Sequence, residues 1–201
     1  GGEGVACYVS VERCQGFPAA DDAMPAIIDA IHSFAKLQLP EPLVPPKCIG
    51  NSSSILSEML EKWSAQVAPQ PLIILFDEVD TLQDQAMISF LRQLRSGFAA
   101  RGIGKFPVSV ALVGMRDLRD YLIQSKDGVA LNPGSPFNIK ENSATLSNFS
   151  AEDVARLIAQ HTGDTGQQFT PEAVAKVYDL SRGQPWLVNA LCKKCAWELV
   201  P

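Results

Sequence analysis

The sequence predicts an α/β fold in which helices cover a mostly parallel sheet, followed by a smaller region made of helices alone. Up to about residue 147, short apolar runs rich in β-branched residues alternate with segments of helical periodicity, a pattern typical of parallel sheets. After Asn148 the periodicity is helical only. The 201 residues are 46% hydrophobic, which is enough for a real core. We therefore expect two domains, 1–147 and 148–201.

Four short segments have the composition and flanking turn residues of strands. These are Val5–Val11, Leu72–Phe76, Val108–Gly114 and a short last strand over Ala144–Leu146. Helical periodicity marks the intervening segments, at 23–37, 55–63, after the acidic residues at 77–78, and at 118–125. Four prolines between Leu39 and Ser54 exclude regular helix there. The first domain is therefore a strand–helix alternation.

Capping residues divide the second domain into three helices. Ser150 and Asp153 have the spacing of a capping box before the first of them. Thr170 with Pro171 is typical of an N-cap followed by proline at the first helical position. The third helix is expected from Pro185 through Glu198. These signals predict a small helical domain at 148–201.

Composition indicates a cytoplasmic protein. Five scattered cysteines do not form a disulfide framework, and they fit a reducing cytosol. No apolar run reaches the length of a membrane span, and the first residues lack the basic start of a signal peptide. The net charge of -5 disfavours a surface built mainly for nucleic acid, because phosphate contacts require clustered lysine and arginine.

Charged residues follow two of the predicted strands. Asp77 and Glu78 come after the second, and Arg116 and Asp117 follow the third. In an open α/β sheet, the functional crevice lies beyond the carboxyl ends of the strands. One carboxylate there suits Mg²⁺, which keeps most of its waters, and a second can deprotonate an attacking water. An arginine on a neighbouring strand end can stabilise charge that develops on a phosphate.

The stretch LIILFDEVD, from 72 to 80, resembles the Walker B motif of P-loop ATPases. That resemblance implies that Asp77 holds magnesium and that Glu78 is the catalytic base. The stretch ALVGMRD resembles the sensor strand, with Arg116 as the γ-phosphate sensor. RGQPWLVNAL resembles the lid motif of STAND and origin-recognition-like ATPases. It implies that Pro185 lies near the adenine and that Arg182 approaches the phosphates.

Taken together, DEVD, GMRDLRDY, SPFNIK and GQPWLVNAL resemble a family of bacterial AAA-like ATP-binding proteins, over nearly the whole chain. The resemblance implies a P-loop ATPase core with a C-terminal helical lid. It also implies ATP and Mg²⁺ as ligands, and an ATPase activity that works as a conformational switch. The partner that reads the switch would be another protein or a second copy.

The sequence departs from the family in its phosphate-binding loop. A P-loop reads G-x-x-x-x-G-K-[ST] and precedes the acidic strand. The only Gly-Lys pair here, Gly104-Lys105, comes after that strand. Ala99 stands at the position of the first glycine, and Phe106 stands at the position of the serine or threonine. The family's strand order is 5-1-4-3-2, so the four predicted strands would be strands 2, 3, 4 and 5. Strand 1 with its P-loop would be supplied by upstream residues or by a partner chain. We expect this chain alone to bind ATP weakly or not at all and to be inactive.

Plainer interpretations of the same residues stay open. Asp77 and Glu78 could form a simple turn in which Asp80 or Thr81 caps the next helix, and Arg116 could be in a surface ion pair. The basic residues Arg92, Arg95 and Arg101 could include an arginine finger, or they could simply be solvated. Gln93 is expected on the same outer face of that helix. Cys192 and Cys195 are predicted to be packing residues.

Two other functions also stay open. The chain could be a nucleotide-independent protein-interaction module with a degenerate ATPase fold. It could instead belong to an origin-recognition-like ATPase that associates with nucleic acid, which would require a winged-helix domain and a basic patch beyond Pro201.

Overall fold

The structure is a computed structural model, and it describes residues 4–99, 101–115 and 144–198. The chain forms two compact units, Gly1–Glu141 and Asn142–Pro201, whose boundary lies slightly before the one expected at residue 147. Among the described helices, none is both long enough and apolar enough to cross a membrane.

The first unit contains a parallel sheet of three strands, β1 (Val5–Ser10), β2 (Leu72–Asp77) and β3 (Ser109–Leu112). The order is β1-β2-β3, so β2 is central, and Ser10 is paired with Asp77 in the register. This confirms the predicted α/β class and the parallel direction of the strands. All three carboxyl ends therefore lie at the same edge of the sheet.

The predicted last strand is wrong. Ala144–Leu146 is irregular backbone, and Leu146 is 95% exposed. A strand needs a neighbour to satisfy its peptide groups, and a three-residue segment buries too little apolar surface to be stable without one. The predicted helix over 118–125 lies outside the described residues.

Helices α1 (Ala20–Gln38), α2 (Ile55–Val67) and α3 (Asp84–Phe98) cover one face of the sheet. Alternate strand residues point into this layer and are buried, because side chains of a strand alternate between its faces. The Phe76 ring, for example, meets Phe90 of α3 edge to face, with ring centroids 5.1 Å apart. On the opposite face Tyr8 and Leu75 are exposed.

A buried glutamine of α3 caps the start of α2. Gln93 is 2% exposed, and its Oε1 accepts hydrogen bonds from the backbone N–H groups of Leu56 at 2.8 Å and Ser57 at 3.4 Å. Its Nε2 donates to the carbonyl oxygen of Ser52 at 2.9 Å. The expectation that Gln93 lies on the outer face of α3 is therefore wrong. Helical periodicity predicts that a polar residue such as Gln93 faces solvent. The first N–H groups of α2 need an acceptor, however, and the buried Gln93 side chain provides it.

Gln93→Met should lower the free energy of unfolding of the first unit by about 1–3 kcal/mol. Methionine keeps the side-chain volume, but it removes the acceptor for the buried backbone N–H groups at the start of α2. Chemical denaturation followed by circular dichroism measures the change. Gln85→Met is the matched control, because Gln85 is exposed on the same helix. If both variants unfold at the same denaturant concentration, Gln93 does not stabilise the start of α2.

The second unit consists of α4 (Ala151–Thr165), α5 (Pro171–Ser181) and α6 (Pro185–Lys193), followed by a π-helical turn, Lys194–Glu198. The three predicted helix starts are confirmed. Ser150 and Asp153 form the capping box, and Thr170 accepts a hydrogen bond from the N–H of Ala173 at 3.2 Å. Hydrogen bonds from Ser150, which have the largest effect, and from Arg156 lower the pKa of the Asp153 carboxyl to about 2. The unit has its own small core: Val154, Ile158, Val177 and Val188.

Candidate hydrolytic site at the sheet edge

The acidic pair lies in a strained turn at the end of the central strand. Asp77 is the last residue of β2, and Glu78 has φ 57° and ψ 33°, in the left-handed region. For a residue with a β-carbon this conformation costs about 1–2 kcal/mol. The residues that directly follow the two neighbouring strands hold the turn. Val11 N–H donates to the Asp77 carbonyl oxygen, and Val79 N–H donates to the Val113 carbonyl oxygen, each at 3.1 Å.

The acidic turn is not a helix cap. The hydroxyl of Thr81 donates to the Glu78 carbonyl oxygen at 2.8 Å, so it strengthens the turn itself. Helix α3 begins after Gln83 and has no side-chain cap. The alternative in which Asp80 or Thr81 caps that helix is therefore wrong. Both residues lie in the 3₁₀ turn at 79–81, and Leu82 and Gln83 separate this turn from the first residue of α3.

Two residues of β1 hold the carboxylates. Tyr8 Oη donates to Asp77 Oδ2 at 2.8 Å, and Ser10 Oγ donates to Glu78 Oε2 at 2.5 Å. Asp77 Oδ1 also accepts the backbone N–H of Glu78 at 2.8 Å. Neither Tyr8 nor Ser10 is among the site residues predicted from the sequence. The available signal was two hydroxyl side chains at alternate positions near the end of an apolar strand, and alternation places them on one face.

Tyr8 remains a hydrogen-bond donor at neutral pH. The hydrogen bond to Asp77 is the largest cause that raises the pKa of the Tyr8 phenol above its ordinary value. Desolvation and the negative charges of Asp77, Glu78 and Glu12 raise it further. The protonated phenol is therefore the form that meets the Asp77 carboxylate.

The chemistry of Asp77 fits a magnesium ion. Its two described hydrogen-bond donors, the Tyr8 phenol and the Glu78 peptide, are neutral, so its negative charge remains available to a cation. A carboxylate has about four acceptor positions, so two donors leave room for a metal ion or its waters. Within 4–99, 101–115 and 144–198 no three His, Cys, Asp or Glu side chains form a metal cage. Mg²⁺ uses one or two carboxylates together with substrate phosphates, so a single carboxylate is a suitable ligand for it.

The end of β3 approaches the same turn. A β-carbon on Gly114 would lie 3.1 Å from Asp80 Oδ1 and 3.3 Å from Val79 Cγ2, so a side chain there would crowd the turn. Arg116 follows two residues later, outside the described residues. Its role as a γ-phosphate sensor remains a prediction.

Arg182 and Pro185 belong to a structured turn of the second unit. Arg182 ends α5 with φ 49°, and its N–H donates to the Tyr178 carbonyl oxygen at 2.7 Å. Its guanidinium is exposed and lies 3.4 Å from an Asp179 oxygen. Pro185 is the first residue of α6, which the Gln184 side chain caps by accepting the N–H of Leu187 at 2.6 Å. The turn therefore fixes the backbone while the Arg182 side chain reaches solvent.

The Gly104-Lys105 pair does not cradle an anion. The N–H groups of Lys105 and Phe106 both donate to the Gly102 carbonyl oxygen, at 3.0 and 3.2 Å. A phosphate-binding loop needs such groups directed at the ligand. These are used within their own tight turn instead.

Comparison with known proteins supports an ATPase-like fold. No protein-family model matches the chain, and no curated protein does. Among solved structures, the chain is similar to a Walker-type ATPase of Pyrococcus abyssi, with a TM-score of 0.58 and 13% sequence identity. The similarity covers 96% of this chain and 57% of that one, so the chain spans little more than half of that ATPase. The fold resembles that of a Walker-type ATPase.

Proposed function

We propose that the intact protein is an ATP-binding, ATP-hydrolysing switch of the AAA-like kind, and that this chain is its Walker B, sensor and lid portion. The observation that carries the proposal is the acidic pair Asp77–Glu78, held on a strained turn at the end of the central parallel strand. Strain that neighbouring strands maintain is typical of functional positions. The similarity in fold to a Walker-type ATPase supports the same proposal.

In this proposal the two carboxylates have different roles. Asp77 holds magnesium, largely through water, and the Glu78 peptide N–H donates to its carboxylate. The bound ion neutralises charge on the phosphates. Glu78 accepts the proton of the attacking water, and the Ser10 hydroxyl orients its carboxylate.

The remaining residues bind and sense the nucleotide. Arg116 contacts the γ-phosphate, Arg182 approaches the phosphates, and the Pro185 turn lies near the adenine. Loss of the γ-phosphate releases these contacts, and this release is the conformational switch. A protein partner, or a second copy of the protein, reads this change in the cytoplasm.

Isothermal titration calorimetry of the intact protein tests nucleotide binding. We expect ATP to bind in the presence of Mg²⁺ and to bind much more weakly after chelation with EDTA. Asp77→Asn should remove most of this Mg²⁺ dependence, because the amide keeps the shape but loses the charge. Asp29→Asn, on the exposed side of α1, is the matched control. An intact protein that binds no ATP would contradict the proposal and favour the interaction module.

A further inference from the structure

We propose that Tyr8 is a positioning residue for magnesium, acting through the hydrogen bond between its phenol and the Asp77 carboxylate. This inference rests on the proposed function. It adds a residue from β1 to the Walker B site of β2. Tyr8 is paired with Leu75 in the register, so its side chain reaches diagonally across the open face to Asp77.

Contacts with three residues hold Tyr8 in place. The Gln38 side chain bonds both of its backbone groups, accepting from Tyr8 N–H at 3.0 Å and donating to the Tyr8 carbonyl oxygen at 2.7 Å. The ring meets Phe34 edge to face, with centroids 5.7 Å apart and an interplanar angle of 79°. The phenol then donates to Asp77 at 2.8 Å. The Tyr8 ring is thus held by α1, and its only O–H group donates to the Asp77 carboxylate.

The geometry fixes the plane of the Asp77 carboxylate without neutralising it. Tyr8 donates to one oxygen and the Glu78 peptide to the other, so rotation about the last side-chain bond would break both hydrogen bonds. A lysine or arginine in place of Tyr8 would also orient the group, but it would compete with a cation. Removing a partner that orients a metal ligand typically changes the metal affinity by 10- to 100-fold.

Tyr8→Phe in the intact protein tests this role, because it removes one oxygen and keeps the ring. Mn²⁺, the paramagnetic substitute for Mg²⁺, is titrated in the presence of a non-hydrolysable ATP analogue and followed by electron paramagnetic resonance. We expect the Kd of Mn²⁺ to rise about 10-fold. The Mg²⁺ concentration for half-maximal ATP hydrolysis should rise by a similar factor, while kcat at saturating Mg²⁺ changes less than about twofold.

Tyr178→Phe is the matched control, since it makes the same change in the second unit, and it should leave both quantities unchanged. Circular dichroism confirms that both variants are folded. An unchanged Mn²⁺ Kd in Tyr8→Phe overturns the role of Tyr8 alone. A wild-type protein that binds no Mn²⁺ with the analogue overturns both this inference and the proposed function, so the two failures can be distinguished.

Discussion

Glu78→Gln should abolish ATP turnover by the intact protein while ATP still binds. A general base contributes about 100- to 10,000-fold to a rate, so kcat should fall by at least about 100-fold. Ser10 Oγ donates to Glu78 at 2.5 Å in the wild-type protein, and the amide oxygen of glutamine can still accept this hydrogen bond. The amide cannot, however, take a proton from water. Glutamine has the same β-carbon, so the left-handed backbone at this position carries a similar cost in both proteins.

Steady-state phosphate release and nucleotide binding, measured on the same preparations, separate the two effects. Glu61→Gln is the matched control, because Glu61 is an exposed residue of α2 in the same unit. Unchanged turnover in Glu78→Gln would remove Glu78 as the base. A parallel loss of binding would instead indicate a disturbed turn.

Gly183→Ala should strongly destabilise the second unit. Gly183 has φ +74°, and an added β-carbon would lie 1.8 Å from the carbonyl oxygen of Phe149. Phe149 N–H also donates to the Gly183 carbonyl oxygen at 2.8 Å, so the two segments cannot separate freely. The left-handed backbone and the overpacking together cost about 3 kcal/mol or more. For a unit of this size, that lowers the melting temperature by roughly 10 °C or more.

Thermal unfolding followed by circular dichroism measures this loss, and hydrogen exchange localises it to the second unit. Gly163→Ala provides a control with the opposite sign. Gly163 lies within α4, where a β-carbon meets nothing within 4 Å, and alanine favours helix. That variant should melt at the wild-type temperature or slightly above it. A Gly183→Ala protein that melts like the wild type would show that the 149–183 contact is not close in solution.

The sequence alone predicted the elements whose signals are local. Apolar β-branched runs located β1, β2 and β3, and capping residues such as Ser150 and Thr170 located the helix starts of the second unit. The acidic pair was recognisable because Asp77 and Glu78 follow an apolar strand directly. The stretch RGQPWLVNAL was recognisable for the same reason, because its residues are adjacent in the chain.

Only the tertiary structure decided which residues meet from distant positions. Tyr8 and Ser10 join the acidic pair across 69 and 68 residues of sequence, and Gln93 caps a helix that begins 38 residues before it in the chain. Ala144–Leu146 carried a strand signal, yet strand formation depends on a neighbour for its peptide groups. The sequence by itself determined the fold class and the acidic residues, because periodicity and motif are local. The hydroxyls that orient those residues depend on strand register, which long-range packing sets.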